Sequence, residues 1–235
     1  RASGQDSFAT GNCTASGQYA VCFGDGATGN GASGSRATVI NGRYNGASGD
    51  DSFASGQSIN ASGASSAGIG SDNTASGFAS LSTGAFSLAN RYAMKAHASG
   101  CFAARGDSQH AKLIVRNKTT NTTPTVLFLD GSSARLTIPS GKMFLFEAKI
   151  VGVRSDGLQR ASYIQKGTII NVAGTTSLVG VIEAVGTDVE DNPALDMTIT
   201  ADDANDALAI TVTGITGETW RWVAVVEGVE VAYGT

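Results

Sequence analysis

Ala47-Ser48-Gly49-Asp50-Asp51-Ser52-Phe53-Ala54-Ser55-Gly56 and Ala75-Ser76-Gly77-Phe78-Ala79-Ser80-Leu81-Ser82-Thr83-Gly84 carry one pattern twice, and that pattern decides the fold. Its opening Ala-Ser-Gly is found at 2–4, 15–17, 32–34, 47–49, 61–63, 75–77 and 98–100, with starts 13, 17, 15, 14, 14 and 23 residues apart. A second glycine follows each: Gly11, Gly24, Gly42, Gly56, Gly70, Gly84 and Gly106. The unit is therefore two near-heptads, and a fixed period of this kind signals a repeat architecture.

A heptad coiled coil is excluded, because it needs Leu, Ile or Val at its seam and tolerates little glycine. Two short extended segments joined by tight turns fit the pattern. In that reading glycine supplies the positive φ of the turns. Alternating Ser and Ala then face a narrow interior, and seven stacked coils make a column of roughly 35 Å. A flexible Gly/Ser linker has a similar composition but no reason to keep phase. Residues 85–97, without glycine, read as a break in phase, either a wider coil or a short helix. Ala98-Ser99-Gly100 reads as one last repeat.

Such a column has a thin core. Residues 1–110 hold only Val21, Val39, Ile40, Ile59 and Ile69 as β-branched aliphatics. That is little apolar area against an ordering cost of ~1–2 kcal/mol per residue. Phe8, Phe23, Phe53, Ile69 and Leu81 need a surface to bury against, and a parallel oligomer provides one.

The pattern Ala-Ser-Gly-x-x-Ser-x-Ala-x-Gly resembles the head repeats of trimeric autotransporter adhesins, and similar repeats occur in bacteriophage tail fibres. The likeness covers about 1–106. It implies a left-handed parallel β-roll that forms a homotrimer.

Near His110 the composition shifts. Nineteen of 31 glycines fall in 1–110, whereas Pro124, Pro139 and Pro193 all lie beyond it. This predicts a repeat domain over 1–110 and a second domain over 111–235. The second part reads as all-β, with strands at 112–116, 125–129, 134–138, 143–153, 161–172, 177–185, 195–200, 208–213 and 219–231. Turns at Asp130-Gly131, Ser140-Gly141, Asp156-Gly157, Ala173-Gly174, Asn192-Pro193 and Thr216-Gly217 separate them. About nine strands suggest a β-sandwich, jelly-roll-like. The runs Leu136-Thr137-Ile138-Pro139-Ser140-Gly141-Lys142-Met143-Phe144, residues 148–154 and Trp220-Arg221-Trp222-Val223-Ala224-Val225-Val226-Glu227 look like a domain common at the C-terminal ends of phage tail fibres. That resemblance implies a place on the virion, in the tail fibre. The partners it implies are the rest of that fibre and a bacterial cell-surface receptor, a polysaccharide or an outer-membrane component.

Composition narrows the function. The formal net charge is −4 with no basic stripe, so nucleic acid is not an expected partner. No apolar run approaches the ~18 residues of a membrane span, so no membrane insertion is expected. The chain opens on Arg1 and directly on a repeat, and reads as the C-terminal piece of something longer. An odd count of cysteines, Cys13, Cys22 and Cys101, argues against an intrachain disulfide framework and suits a reducing cytoplasm. Cys22 reads as a small buried residue.

The candidate receptor-binding residues are Trp220, Trp222, Tyr163 and Tyr233, since a sugar ring stacks on an aromatic face. Core packing is the competing reading for the tryptophans. Asp188, Glu190, Asp191, Asp196, Asp202, Asp203 and Asp206 could surround a hard cation, but match no EF-hand and read as solvated loops. His97 and His110 lie too far apart in sequence to form an obvious axial metal pair. Arg105-Gly106-Asp107 spells an integrin-binding tripeptide, which the repeat pattern already explains. Asp6, Asp25, Asp50, Asp51, Asp72 and Asp107 are scattered at turns, and Gly24-Asp25-Gly26 is turn chemistry, not a phosphate loop. The sequence therefore predicts no enzyme and no cofactor. The expected function is multivalent attachment of a phage tail to a bacterial surface, probed by three tips on one axis. Alternatives are the head of a bacterial trimeric adhesin, which would need an anchor after Val229-Glu230-Val231-Ala232-Tyr233-Gly234-Thr235, a polysaccharide-degrading spike, which a reducing-sugar assay would separate from pure binding, and a tip that only caps the trimer.

Overall fold

The computed structural model describes residues 1–24 and 29–233. Asp25 and Gly26 of the predicted turn, and Gly234 and Thr235, lie outside the described residues. The chain divides into two compact units, Arg1–Ala111 and Lys112–Thr235. The described residues are all-β apart from one 3-10 turn, Asp203–Asn205.

The first unit is a parallel β-solenoid. One sheet stacks Phe8–Thr10, Val21–Phe23, Thr38–Arg43, Phe53–Gln57, Ala67–Ser71, Leu81–Ala85 and Lys95–Ser99. A six-stranded sheet stacks Cys13–Ala15, Asn30–Ala32, Gly46–Ala47, Asn60–Ala61, Thr74–Ala75 and Leu88–Ala89. Their register turns the sequence repeat into columns. Ala15, Ala32, Ala47, Ala61, Ala75 and Ala89 lie one above the next and are fully buried. The inward column of the first sheet runs Ala9, Cys22, Val39, Ala54, Gly68, Ser82 and Ala96. Where Ile59 enters this interior, Gly68 makes room: a Cβ there would lie 2.4 Å from the Ile59 Cγ2.

The Ala-Ser-Gly glycines do a different task from the one predicted. Gly4, Gly17, Gly34, Gly49, Gly63 and Gly77 are not in the positive-φ region. A Cβ on any of them would sit 2.0 to 2.2 Å from the carbonyl oxygen of the equivalent residue in the following coil. Close approach of backbones demands glycine here. The left-handed corner falls two residues later, on Asp6, Tyr19, Arg36, Asp51, Ser65 and Ala79, with φ between 52° and 57°. Non-glycine residues pay about 1–2 kcal/mol for that conformation. Each of the last five offsets it with a backbone N–H donated to the preceding coil, as Ser65 donates to the Asp50 carbonyl at 2.7 Å. The second glycines Gly42, Gly56, Gly70 and Gly84 do carry positive φ, from 82° to 132°.

The predicted break at 85–97 is corrected. Thr74 and Ala75 pair with Leu88 and Ala89, and Leu81–Ala85 with Lys95–Ser99, so the coil continues in phase with no helix. Ala89-Asn90-Arg91 takes the place of Ala-Ser-Gly, and the Arg91 carbonyl is the one Gly77 approaches. Ala98-Ser99-Gly100 is correspondingly out of phase, since Ala98 pairs with Gly84.

The cysteine reading is corrected too. Cys13 and Cys22 form a disulfide, and Cys101 is free. Cys13 faces inward two residues before Ala15, and Cys22 is the inward residue of the adjoining strand, which brings their Cα atoms to 6.1 Å. An odd count leaves room for one pair and one thiol.

The second unit is antiparallel. Lys142–Arg154 pairs along its length with Trp220–Ala232 on one side and Arg160–Val172 on the other. Ala173-Gly174, with φ of 52° and 89°, joins Arg160–Val172 to Thr175–Leu178 as a two-residue hairpin. A smaller sheet pairs Ala207–Thr213 with Asp196–Asp202, Thr125–Val126 and Leu136–Thr137. Gly131, Gly141, Gly157 and Gly217, all predicted at turns, have positive φ. The core holds alternate residues of both sheets: Phe144, Phe146, Ile150, Trp220, Trp222 and Val226 from the larger, Leu208, Ile210 and Val212 from the smaller.

Candidate interaction surfaces

The strand Trp220–Ala232 alternates inward and outward, and its inward residues include both tryptophans. Their rings stack with centroids 5.7 Å apart. Trp222 donates its indole N–H to Thr119 Oγ1 at 3.0 Å, and Trp220 donates to Glu218 Oε2 at 2.9 Å. Trp222 lies on Gly152, where a Cβ would be 2.3 Å from the indole. With exposures of 0% and 1%, the pair is core, and its candidacy as a sugar platform is corrected. Tyr163 is also buried, and its hydroxyl donates to Glu190 Oε1 at 2.6 Å. Burial, followed by that carboxylate, pushes its phenol far above the ordinary value. Tyr233 remains exposed, with its hydroxyl donating to the Asn171 carbonyl.

The acidic loop residues are engaged with neighbours. Asp202 pairs with Arg135 at 2.6 Å and Asp191 with Arg160 at 3.1 Å. Asp206 accepts from Asn171 and Thr176, and Asp203 from the Thr176 backbone N–H. Among the described residues no three His, Cys, Asp or Glu side chains converge as a metal site would require. The Arg105-Gly106-Asp107 tripeptide is folded inward: Asp107 is buried and accepts N–H groups from Phe102, Ala103 and Ala104. Burial pushes the Asp107 carboxyl up, but those amides together outweigh it and hold it below the usual carboxylate range.

One surface gathers the apolar residues for which the sequence called for a partner, and a second was not legible as a surface. The outward positions of the longer solenoid sheet form two columns. One runs Phe8, Val21, Thr38, Phe53, Ala67 and Leu81; the other runs Thr10, Phe23 and Ile40 and, beyond a register shift between Val39 and Gly42, Ser55, Ile69 and Thr83. Phe8 and Phe23 touch at 5.6 Å between ring centroids and are 51% and 39% exposed. In the second unit, the outward face of the large sheet exposes Leu145, Val151, Ile164, Val223 and Val229 around a charged band. In that band Glu227 bridges Lys112 and Lys149, and Lys149 also meets Glu147. The lysines hold the Glu227 carboxyl below its ordinary value.

The second unit also holds a cavity of about 300 Å³ lined by Arg116, Lys118, Gly131, Arg221, Trp222 and Val223. Arg116 is fixed by donating to the Leu129 and Asp130 carbonyls at 3.2 and 2.8 Å. The Asp130 carboxylate is turned into its own loop, where it accepts N–H groups from Ser132, Ser133 and Ala134. These residues are scattered over a hundred positions of sequence, so no local motif announces the cavity.

No family model matches the chain, and no curated protein matches it. Among solved structures it is distantly similar to phage tailspikes. One is the tailspike protein of Acinetobacter baumannii phage AM24, with a TM-score of 0.32 and 10% identity over 94% of this chain and 47% of that one. Another is the tailspike gp49 of Acinetobacter baumannii bacteriophage Fri1, with a TM-score of 0.30 and 11% identity over 96% of this chain and 44% of that one. The chain thus spans about half the length of the tailspikes it matches. Fri1 gp49 is described as a capsular polysaccharide depolymerase, and on that finding the exclusion of catalysis is withdrawn. Among the described residues no helix is long and apolar enough to cross a membrane.

Proposed function

We propose that this chain is part of a bacteriophage tail fibre or tailspike that attaches to a bacterial surface glycan as a homotrimer. The observation that carries the reading is the outward face of the solenoid. Six stacked coils set Phe8, Phe23, Ile40, Phe53, Ile69 and Leu81 on the outward face of one sheet, one per coil and shared between two columns, over an interior mostly of Ala, Ser and Gly. Isolated apolar residues at a surface are ordinary, but an apolar residue repeated on the same face in coil after coil marks an interaction site. A parallel trimer covers three such stripes at once and gives each thin column the apolar interior it lacks. The second unit, a two-sheet sandwich in this reading, is the receptor-facing part. Three copies on one axis turn weak contacts into avid attachment. Tyr233 is the one of the four predicted aromatic contacts with exposed surface to offer a sugar.

Sedimentation equilibrium of the purified chain tests assembly, with three chain masses expected. Ile69→Glu places a charge in the stripe without entering the interior and should release monomers. A wild-type monomer would overturn the reading. Host-cell adsorption, with capsule-stripped cells alongside, tests attachment, and release of reducing ends from capsule in the same tubes reports cleavage.

A further inference from the structure

Ten arginine and lysine residues lie in the second unit. Lys112, Arg135, Lys142, Lys149, Arg154, Arg160 and Lys166 each have a carboxylate within salt-bridge distance. Among the described residues Arg116, Lys118 and Arg221 have none, and these three are the cations that line the 300 Å³ cavity. In a chain of net charge −4, three cations without carboxylate partners around one hollow form a local reversal of sign.

We infer that this cavity binds the anionic substituent of an acidic surface sugar, such as the carboxylate of a uronate residue. The inference rests on the glycan-attachment reading above and names the chemical class of the glycan. Arg116 is pre-set for the task. Of the guanidinium's five N–H donors, only two hydrogen bonds are spent, on the Leu129 and Asp130 carbonyls, and these hold it in place. Pre-organisation lowers the ordering cost of binding. Gly131 keeps the space beside it open: a Cβ there would be 3.1 Å from Arg116 Nε. Val223 gives the cavity an apolar wall against which the carbon face of a sugar ring fits. At about 300 Å³ the hollow stands at the lower end of small-molecule sites. Nucleic acid is disfavoured, because three cations around a hollow make no phosphate track and no exposed aromatic side chain lines it for bases to stack on.

Calorimetry of the full chain with trigalacturonate tests this, with the methyl ester of the same sugar as neutral probe. The acid should bind and the ester should not, with affinity falling as salt rises. Lys118→Gln/Arg221→Gln should weaken the acid at least about tenfold, the loss expected for charge-assisted hydrogen bonds. Among the described residues these two exposed side chains make no hydrogen bond or ion pair, whereas Arg116 is structural and is left intact. Lys166→Gln, which removes one cation outside the cavity, should leave binding unchanged. Equal binding of acid and ester, an unaffected double variant, or tighter binding of inorganic phosphate or of a single-stranded oligonucleotide would each overturn the inference. If the wild type adsorbs to cells without preferring acid over ester, this inference falls and the attachment reading stands. If it binds neither cells nor trigalacturonate, both fall.

Discussion

The two units are both β, but they solve the packing problem in opposite ways. The solenoid has an interior of Ala, Ser and Gly, and its precision comes from backbone meeting backbone. Buried asparagines reinforce this. Asn45 donates to the Asn41 and Gly56 carbonyls, both at 2.8 Å, and accepts the Ile59 N–H. Asn73 repeats the arrangement two periods further on, toward Ile69, Gly84 and Ser87. The second unit relies instead on large buried side chains: two tryptophans, two phenylalanines and a set of branched aliphatics. One unit is specified by what is missing from its side chains, the other by what they fill.

That contrast can be broken at its strongest point first. Trp220→Ala should destabilise the second unit by about 3–5 kcal/mol, the cost of emptying an aromatic core site. Hydrogen exchange should show the loss there, with solenoid amides unchanged. In the solenoid the damaging substitution adds atoms. Gly63→Ala puts a methyl 2.2 Å from the Gly77 carbonyl and should cost about 3 kcal/mol, in the upper range for overpacking. Thermal melting followed by circular dichroism measures it, and a neutral result would mean the coils can separate without penalty. Asn45→Ala should cost about 2 kcal/mol, since it strands buried backbone groups. Fast exchange confined to the Ile59 amide and its neighbours would locate the loss.

The smallest effect is acid sensitivity, which divides by unit. Asp107 in the solenoid and Asp130 in the second unit both have carboxyls held below the usual range, the latter by the Ser133, Ser132 and Ala134 amides. A depressed carboxyl contributes stability above its unfolded value of about 3.9. That contribution is lost as pH falls through the folded value. Asp107→Asn should flatten the pH dependence of solenoid exchange below pH ~4 and leave the second unit's slope in place.

Much of the architecture was legible because the repeat is literal. Ala-Ser-Gly marks the same corner in six coils, and the strands of the second unit announce themselves by alternation between turn glycines that do adopt positive φ. What was hidden depended on stacking. The need for glycine at Gly49 or Gly63 lies in the next coil's carbonyl, which a single repeat does not contain. Ala89-Asn90-Arg91 keeps phase without its glycine, so the eye follows Ala98-Ser99-Gly100 instead. The Cys13–Cys22 bond needs the inward-facing geometry of two different strands. Trp220 and Trp222 have the same sequence signature whether they face a core or a sugar, and only burial separates the two. The cationic cavity is assembled from three distant segments, and it is visible only once the other lysines and arginines are seen to be neutralised.

The uniform register of the coils between Gly46 and Ala89 carries an evolutionary corollary. Duplicating or excising one whole period re-creates the same neighbours above and below, whereas a change of any other size throws every later column out of line. Length in this rod is thus a counted quantity, altered in steps of about 4.7–4.9 Å, and replication slippage in the repeated DNA could retune its reach without redesigning a single contact.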